Sequence, residues 1–363
     1  MVGTSARKTD GALPARACVL AALTTAAVDL AAAVAADVAD SDDDSDADSG
    51  AMVVLRPQRM LTFTTEPEPT EPGTGNPACV CVLEAGAPFP EDEEMAAAAE
   101  HIGAATAFVL PETAERKNTL RYFTVSGIEL PFCGHATLAA ASILLGERPK
   151  LELEAGTGAT FVASRAADGK VALELGARPT AAHPLAPECA LLRAVLVAFR
   201  LDPADVLHAA TTDPAAAPVD MLVHVSKEAY AKVARPAPIS FEGLRALPPA
   251  PGGSEAAGRV IALTTEAEAG GAAHFRSRCF TPTLGVDEDQ ACGAGHLMLG
   301  PYWDARKRGA EDGPLRMLGV QDSPRGAELS VEVSPDGKKV LLAGNAVPGR
   351  PETPPAALGG DPP

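Results

Sequence analysis

The chain has 363 residues, 48 acidic against 30 basic side chains and a net charge of -18, so it lacks the basic surface that general phosphate neutralisation requires and is not expected to bind nucleic acid. At 46% hydrophobic with one Trp, three Tyr and ten Phe, its core must be largely aliphatic. Asp29 interrupts the best apolar run before it reaches the roughly 18 residues of a membrane span, and seven scattered cysteines, an odd number, indicate a reducing, cytoplasmic setting.

Residues 1–51 read as a disordered or targeting extension. Arg7, Lys8 and Arg16 precede an Ala-rich stretch, and an Asp/Ser run from Asp40 to Asp48 carries part of the excess charge as a solvated tail. Folded sequence is expected from Met52. Strands are predicted at Ala78 to Leu83, Ala107 to Leu110, Thr119 to Thr124, Lys170 to Leu175, Arg259 to Thr264 and Leu329 to Val333. Helices are predicted at Glu91 to His101 and Cys189 to Arg200, and Pro248 to Gly258 reads as a surface loop. Residues 351–363 are Pro/Gly-rich and read as a disordered tail.

An internal echo organises the rest. Arg121-Tyr122-Phe123-Thr124, an acid at Glu129 and Cys133-Gly134-His135-Ala136-Thr137 opening an apolar helix are followed by Gly158 to Val162 and the turn Asp168-Gly169-Lys170. The second half repeats the order: Arg278-Cys279-Phe280-Thr281, acids at Asp287 to Asp289, Cys292-Gly293-Ala294-Gly295-His296 opening an apolar helix, Gly326 to Ser330, and Asp336-Gly337-Lys338. Such a duplication predicts two related units with equivalent atoms meeting at their junction.

Cys133 and Cys292 occupy matching places, each just before a Gly at a helix start. Unpaired N–H groups and the dipole there stabilise thiolate, and the same N–H groups receive a carboxylate. Two sulfurs facing one carbon from opposite sides form the acid/base pair of a cofactor-free racemase or epimerase. The plainer reading is a small buried hydrophobe, and it is the one given to Cys18, Cys79, Cys81, Cys189 and Cys279. His135, His296 and Asp289 read either as site residues or as helix-end residues satisfying the backbone; Asn76 reads as a site residue or a turn residue. Gly134, Gly293 and Gly295, with Ala294, leave room for close backbone approach to a ligand. No metal spacing and no nucleotide fingerprint is present.

The segment Glu129 to Ala139 (ELPFCGHATLA) resembles the phenazine-biosynthesis PhzF-like family, relatives of diaminopimelate epimerase. The likeness recurs at Gly75-Asn76-Pro77-Ala78, Leu120 to Thr124, Phe280 to Val286, Glu288 to His296 and Pro301-Tyr302-Trp303. It implies an α+β fold of two pseudo-symmetric domains, 52–180 and 181–350, each a barrel-like, mostly antiparallel sheet around a central helix, with the cleft between them and homodimers usual. With no metal or nucleotide motif the chemistry is expected to be cofactor-free, on a small carboxylate or amino-acid-like substrate. The family's proton-shuttling Glu, in a Ser-Glu-Thr segment, matches Ala105 in Ala104-Ala105-Thr106 here; its His matches His135 and its Asp matches Asp289, while Thr-Gly-Ser becomes Cys292-Gly293-Ala294. Loss of Glu with gain of Cys292 favours proton transfer by Cys133 and Cys292. The alternatives are an isomerase using His135 and Asp289, and a catalytically retired binding protein.

Overall fold

A computed structural model of the chain describes residues 57–65, 74–114, 116–180, 184–215, 218–233, 239–252, 258–308 and 313–349, with the backbone of 20–21 and 54–55. Leu20–Ala21 (β1) pairs in parallel with Val54–Leu55 (β2). The rest of the expected extension and the 351–363 tail lie outside the described residues.

The first half runs β3 (Gln58–Thr64), β4 (Asn76–Val82), α1 (Asp92–Ile102), β5 (Ala105–Leu110), β6 (Asn118–Phe123), β7 (Glu129–Leu130), α2 (Gly134–Leu145), β8 (Lys150–Ala155), β9 (Thr160–Arg165) and β10 (Val171–Gly176). The second runs α3 (Ala190–Phe199), β11 (Val206–Thr211), β12 (Met221–Val225), α4 (Lys227–Lys232), α5 (Phe241–Arg245), β13 (Ile261–Glu266), β14 (Phe275–Thr281), β15 (Val286–Asp289), α6 (Gly293–Lys307), β16 (Arg316–Gln321), β17 (Ala327–Val333) and β18 (Lys339–Pro348).

The echo in the sequence is an echo in hydrogen bonding. β3–β4 is antiparallel, β4–β5 parallel, β5–β6 antiparallel and β6–β8 parallel, with β9 and β10 antiparallel in turn. The second half repeats that order of pairings with β11–β12, β12–β13, β13–β14, β14–β16, β16–β17 and β17–β18. The two short strands, β7 on β6 and β15 on β14, are also equivalent. This is the expected α+β fold of two pseudo-symmetric, mostly antiparallel units.

The last strand belongs to both sheets. One side of β18 pairs with β10, while β17 and then β3 pair along its length, closing an eight-strand barrel of β3, β4, β5, β6, β8, β9, β10 and β18. Inside that barrel sits α2. Its sequence, GHATLAAASILL, is apolar nearly all round, and eight of its 12 residues are buried, as expected for a helix with no solvent face. Small Ala side chains at 136, 139, 140 and 141 let it fit within a ring of eight strands.

Helix α6 plays the same part against β13, β17 and β18, with ten of its 15 residues buried. Pro301 inside it cannot donate to the carbonyl four residues back. That carbonyl, of Leu297, instead accepts from the Arg178 N–H at 2.9 Å, so the helix continues without an orphaned acceptor. The helices α3, α4 and α5 cover the outer face of β11–β13 in a separate apolar cluster.

Candidate active site

Both central helices begin at one place. A Cβ built on Gly134 would lie 3.3 Å from Gly293 Cα, and one on Gly293 would lie 3.3 Å from Gly134 Cα. The duplicated glycines therefore touch at the junction, and two positive helix ends converge there. Beside this contact lies a cavity of about 240 Å³. Cys133, Gly134, His135, Asn76, Asp289, Cys292, Gly293 and Ala294 all line it, so the structure gathers these expected residues from both halves.

Gly295 and His296 do not line it. Gly295 is packed in, with Cys279 Sγ and Cys292 Sγ leaving no room for a Cβ. His296 is fully buried: Nδ1 lies 2.8 Å from the Cys292 carbonyl, the ring packs on Phe275, and Nε2 has no hydrogen-bond partner. Burial pushes its pKa down to about 4, partly countered by the Cys292 hydrogen bond and by Asp289. The reason is phase. With Cys133 and Cys292 as the two N-caps, His135 corresponds to Ala294, and His296 corresponds to Thr137. Thr137 Oγ1 donates to the Cys133 carbonyl at 2.7 Å, the contact that His296 Nδ1 makes in the other half.

The two N-cap cysteines are held differently. Cys133 makes no capping bond with its sulfur; Sγ lies 3.5 Å from His135 Nδ1. Burial opposes charge on His135, but the Cys133 sulfur, its hydrogen bond and the Asp289 carboxylate outweigh it and raise the imidazole to about 9. Cys292 Sγ accepts from Gly295 N at 3.3 Å, and its own N–H donates to Gln321 Oε1 at 2.8 Å. Its thiol is driven well above the ordinary value by a hydrogen bond with Cys279, by burial and by Asp289. Cys279, read from sequence as an inert core residue, thus lies against Cys292.

Asp289 ends β15 and is tied across the junction. Asn76 Nδ2, at the start of β4, donates to its Oδ1 at 2.6 Å and to the Ala291 carbonyl at 3.3 Å. Gln321 on β16, fully buried, donates to the Asp289 backbone carbonyl while accepting from Cys292 N–H. Gln321 went unread because its partners are backbone groups far away in sequence. Ala105 lines the cavity as the first residue of β5, so the wall carries a methyl where the resemblance expects a carboxylate. The carboxylates that do line it are Asp289 and Glu288, and Glu288 is engaged by Arg278 through bonds of 2.8 and 2.6 Å. The Cys79 and Cys81 pair, on one face of β4, is fully buried in a cluster with Met95 and Phe108. Among the described residues no group of three or more His, Cys, Asp or Glu could hold a metal ion, and no helix is long and apolar enough to cross a membrane.

Two repeated units, each wrapping a helix and presenting that helix's N-terminus to a shared cavity, define a protein of the diaminopimelate epimerase-like fold. Residues 63–350 match the family described as Phenazine biosynthesis-like protein. The chain belongs to this PhzF-like family. It is 32% identical over 291 residues to the mouse Phenazine biosynthesis-like domain-containing protein 2, covering 75% of this chain and 91% of that protein. It is 34% identical over 285 residues to a Pseudomonas aeruginosa protein named as an uncharacterized isomerase, covering 77% of this chain and 92% of that one. Among solved structures, the Bacillus anthracis phenazine biosynthesis protein of the PhzF family superposes with a TM-score of 0.62 at 19% identity, over 81% of this chain and 98% of that chain.

Proposed function

We propose that the chain is an isomerase that inverts or relocates a C–H bond next to a carboxylate, with Cys133 and Cys292 as its acid/base pair. The observation that carries this reading is that two N-cap cysteines from opposite halves line one cavity across the Gly134–Gly293 contact. The first two N–H groups of each helix have no acceptor within that helix and face a region suited to an anion, while the third of α6, on Gly295, is taken by the Cys292 sulfur. A substrate carboxylate held there gains negative charge as the adjacent proton leaves, and the same donors stabilise that charge in the transition state.

Each step balances. The carbon–hydrogen bond breaks, its proton passes to the Cys133 sulfur beside the His135 imidazolium, and the electron pair delocalises into the carboxylate. The Cys292 S–H then breaks and its proton goes to the carbon. The unequal settings of the sulfurs favour these roles, because Cys292 is kept as a thiol and Cys133 faces a cation. The relative named as an uncharacterized isomerase agrees in reaction class.

The test is proton exchange with solvent. Incubated in D2O with a panel of small amino acids and hydroxy acids, the protein should place one deuterium at the inverted carbon of its substrate, and Cys133→Ala and Cys292→Ala should each abolish this. Exchange that survives both changes rules the thiol pair out. A second reading has His135 and Asp289 move the proton, supported by the Cys292 sulfur being engaged by Gly295 N–H and Cys279. Loss of exchange in His135→Ala with retention in Cys292→Ser would select it.

A further inference from the structure

One carboxylate inside the second half is shared by two guanidinium groups. Asp220 is fully buried, and its oxygens accept from Arg259 Nε at 2.9 Å, Arg259 Nη2 at 2.7 Å and Arg178 Nε at 3.0 Å. The Val260 N–H adds a fourth bond at 3.2 Å. The cluster therefore carries one positive charge in excess. Arg178 spends Nη2 on the Pro218 carbonyl and does not line the cavity. Arg259 does line it, a residue before Val260 and on the Cys292 side, where Val260 packs at Gly295. Its Nη1 has no hydrogen-bond partner among the described residues.

A guanidinium fixed by a bidentate bond on one edge and open on the other is a preorganised anion receptor, since its orientation is set before the ligand arrives. The nearby carboxylates do not use it. Glu288 is engaged by Arg278, and Asp289 by Asn76. Excess charge in a partly buried site is costly unless an anion meets it.

We propose that Arg259 binds a second anionic group of the substrate, so that the cavity takes a small molecule with two negative groups. This rests on the reading that the first carboxylate sits at the helix N-termini. It adds a substrate class, since a single-anion ligand would leave Arg259 unmet.

Calorimetric titration of the full chain with glutarate and with valerate, equal in carbon number and differing by one carboxylate, tests this without turnover. Glutarate should bind about tenfold more tightly, and Arg259→Gln should erase that gap while leaving valerate unchanged. Arg259→Lys, which keeps the charge, should retain part of it. Arg178→Gln removes the excess charge but leaves the Arg259 fork held by Asp220, so it should keep most of the gap, and Arg259→Gln should lose far more of it. A 3-phosphonopropionate arm tells whether a phosphoryl or a carboxylate group is preferred, and tighter binding of either diacid supports the subsite. Equal binding of glutarate and valerate by the wild-type protein, or no binding of glutarate at millimolar concentration, overturns it. So does equal loss of the gap in Arg178→Gln and Arg259→Gln, which would place the effect in the Asp220 scaffold. Glutarate preference without deuterium exchange would sink the reaction above and leave the subsite standing, whereas exchange without glutarate preference would do the reverse.

Discussion

At the scale of single residues, the two cysteines share an N-cap position but not a chemical setting. Cys279 and the Asp289 carboxylate hold Cys292 as a thiol against the Gly295 N–H, whereas among the described residues the hydrogen-bond partner at the Cys133 sulfur is the His135 imidazole. Iodoacetamide labelling followed by peptide mass spectrometry should therefore modify Cys133 well before Cys292 at pH 7, and His135→Ala should slow Cys133 while leaving Cys292 unchanged. Equal rates would contradict the asymmetry. Gln321 offers a second residue-scale test. Replacing it with Leu removes the acceptor of Cys292 N–H and the donor to Asp289, leaving both buried backbone groups unpaired. Loss of about 1–3 kcal/mol of stability is expected, read from denaturant midpoints. Cys133, His135, Asp289 and Asn76 were legible in the sequence because local motifs mark them. Gln321 and Arg259 were not, because each acts through partners brought close only by the sheet. His296 was legible as a helix-start residue, but its face depended on which residue caps the helix, a shift of two positions.

At the scale of elements, the helix starts carry the site. Each helix begins with a Gly because the opposing backbone occupies the space of a Cβ, 3.3 Å away. Ala has the better helix propensity by about 1 kcal/mol, so Gly293→Ala trades a gain in the helix against crowding at the junction. The expected outcome is a melting temperature within a few degrees of wild type but exchange activity reduced at least about tenfold, because the converging N–H groups are moved apart by a few tenths of an ångström. A melting temperature that falls as steeply as activity would make the glycine contact structural only. The strands were legible where β-branched and aromatic residues cluster: β5, β6, β10, β13 and β17 lie within about two residues of expectation. Others, such as β3 and β18, were not, because their ends are set by pairing partners far away in sequence.

At the scale of the whole molecule, histidines set the pH limits. Burial lowers His296 and His224 to about 4 from 6.5, so neither tolerates charge in the folded state. Their contribution to stability is complete above pH 6.5 and is lost as pH falls towards about 4, where the folded forms take up protons. His135 acts in the opposite direction. Raised to about 9, its contribution is complete below pH 6.5 and is lost as pH rises from there through about 9. Melting temperature against pH should therefore form a dome, with His296→Leu flattening the acid limb and His135→Ala the alkaline one. A wild-type profile that is flat from pH 4 to 6.5 would contradict the buried, neutral state of these rings.

The duplicated fold was legible as a repeated order of motifs, but the sharing of β18 was not, because nothing in its local sequence says that it pairs with β3 and β10 as well as β17. That sharing governs how the chain emerges from the ribosome. The barrel begun by residues 58–64 lacks its closing strand until residues 339–348 arrive, so α2 waits in an open seam for most of synthesis. A nascent chain stalled after β10 should then expose α2 to protease, and the released full chain should protect it, an order of events in which the unit begun first stays open until the strand that also ends the second.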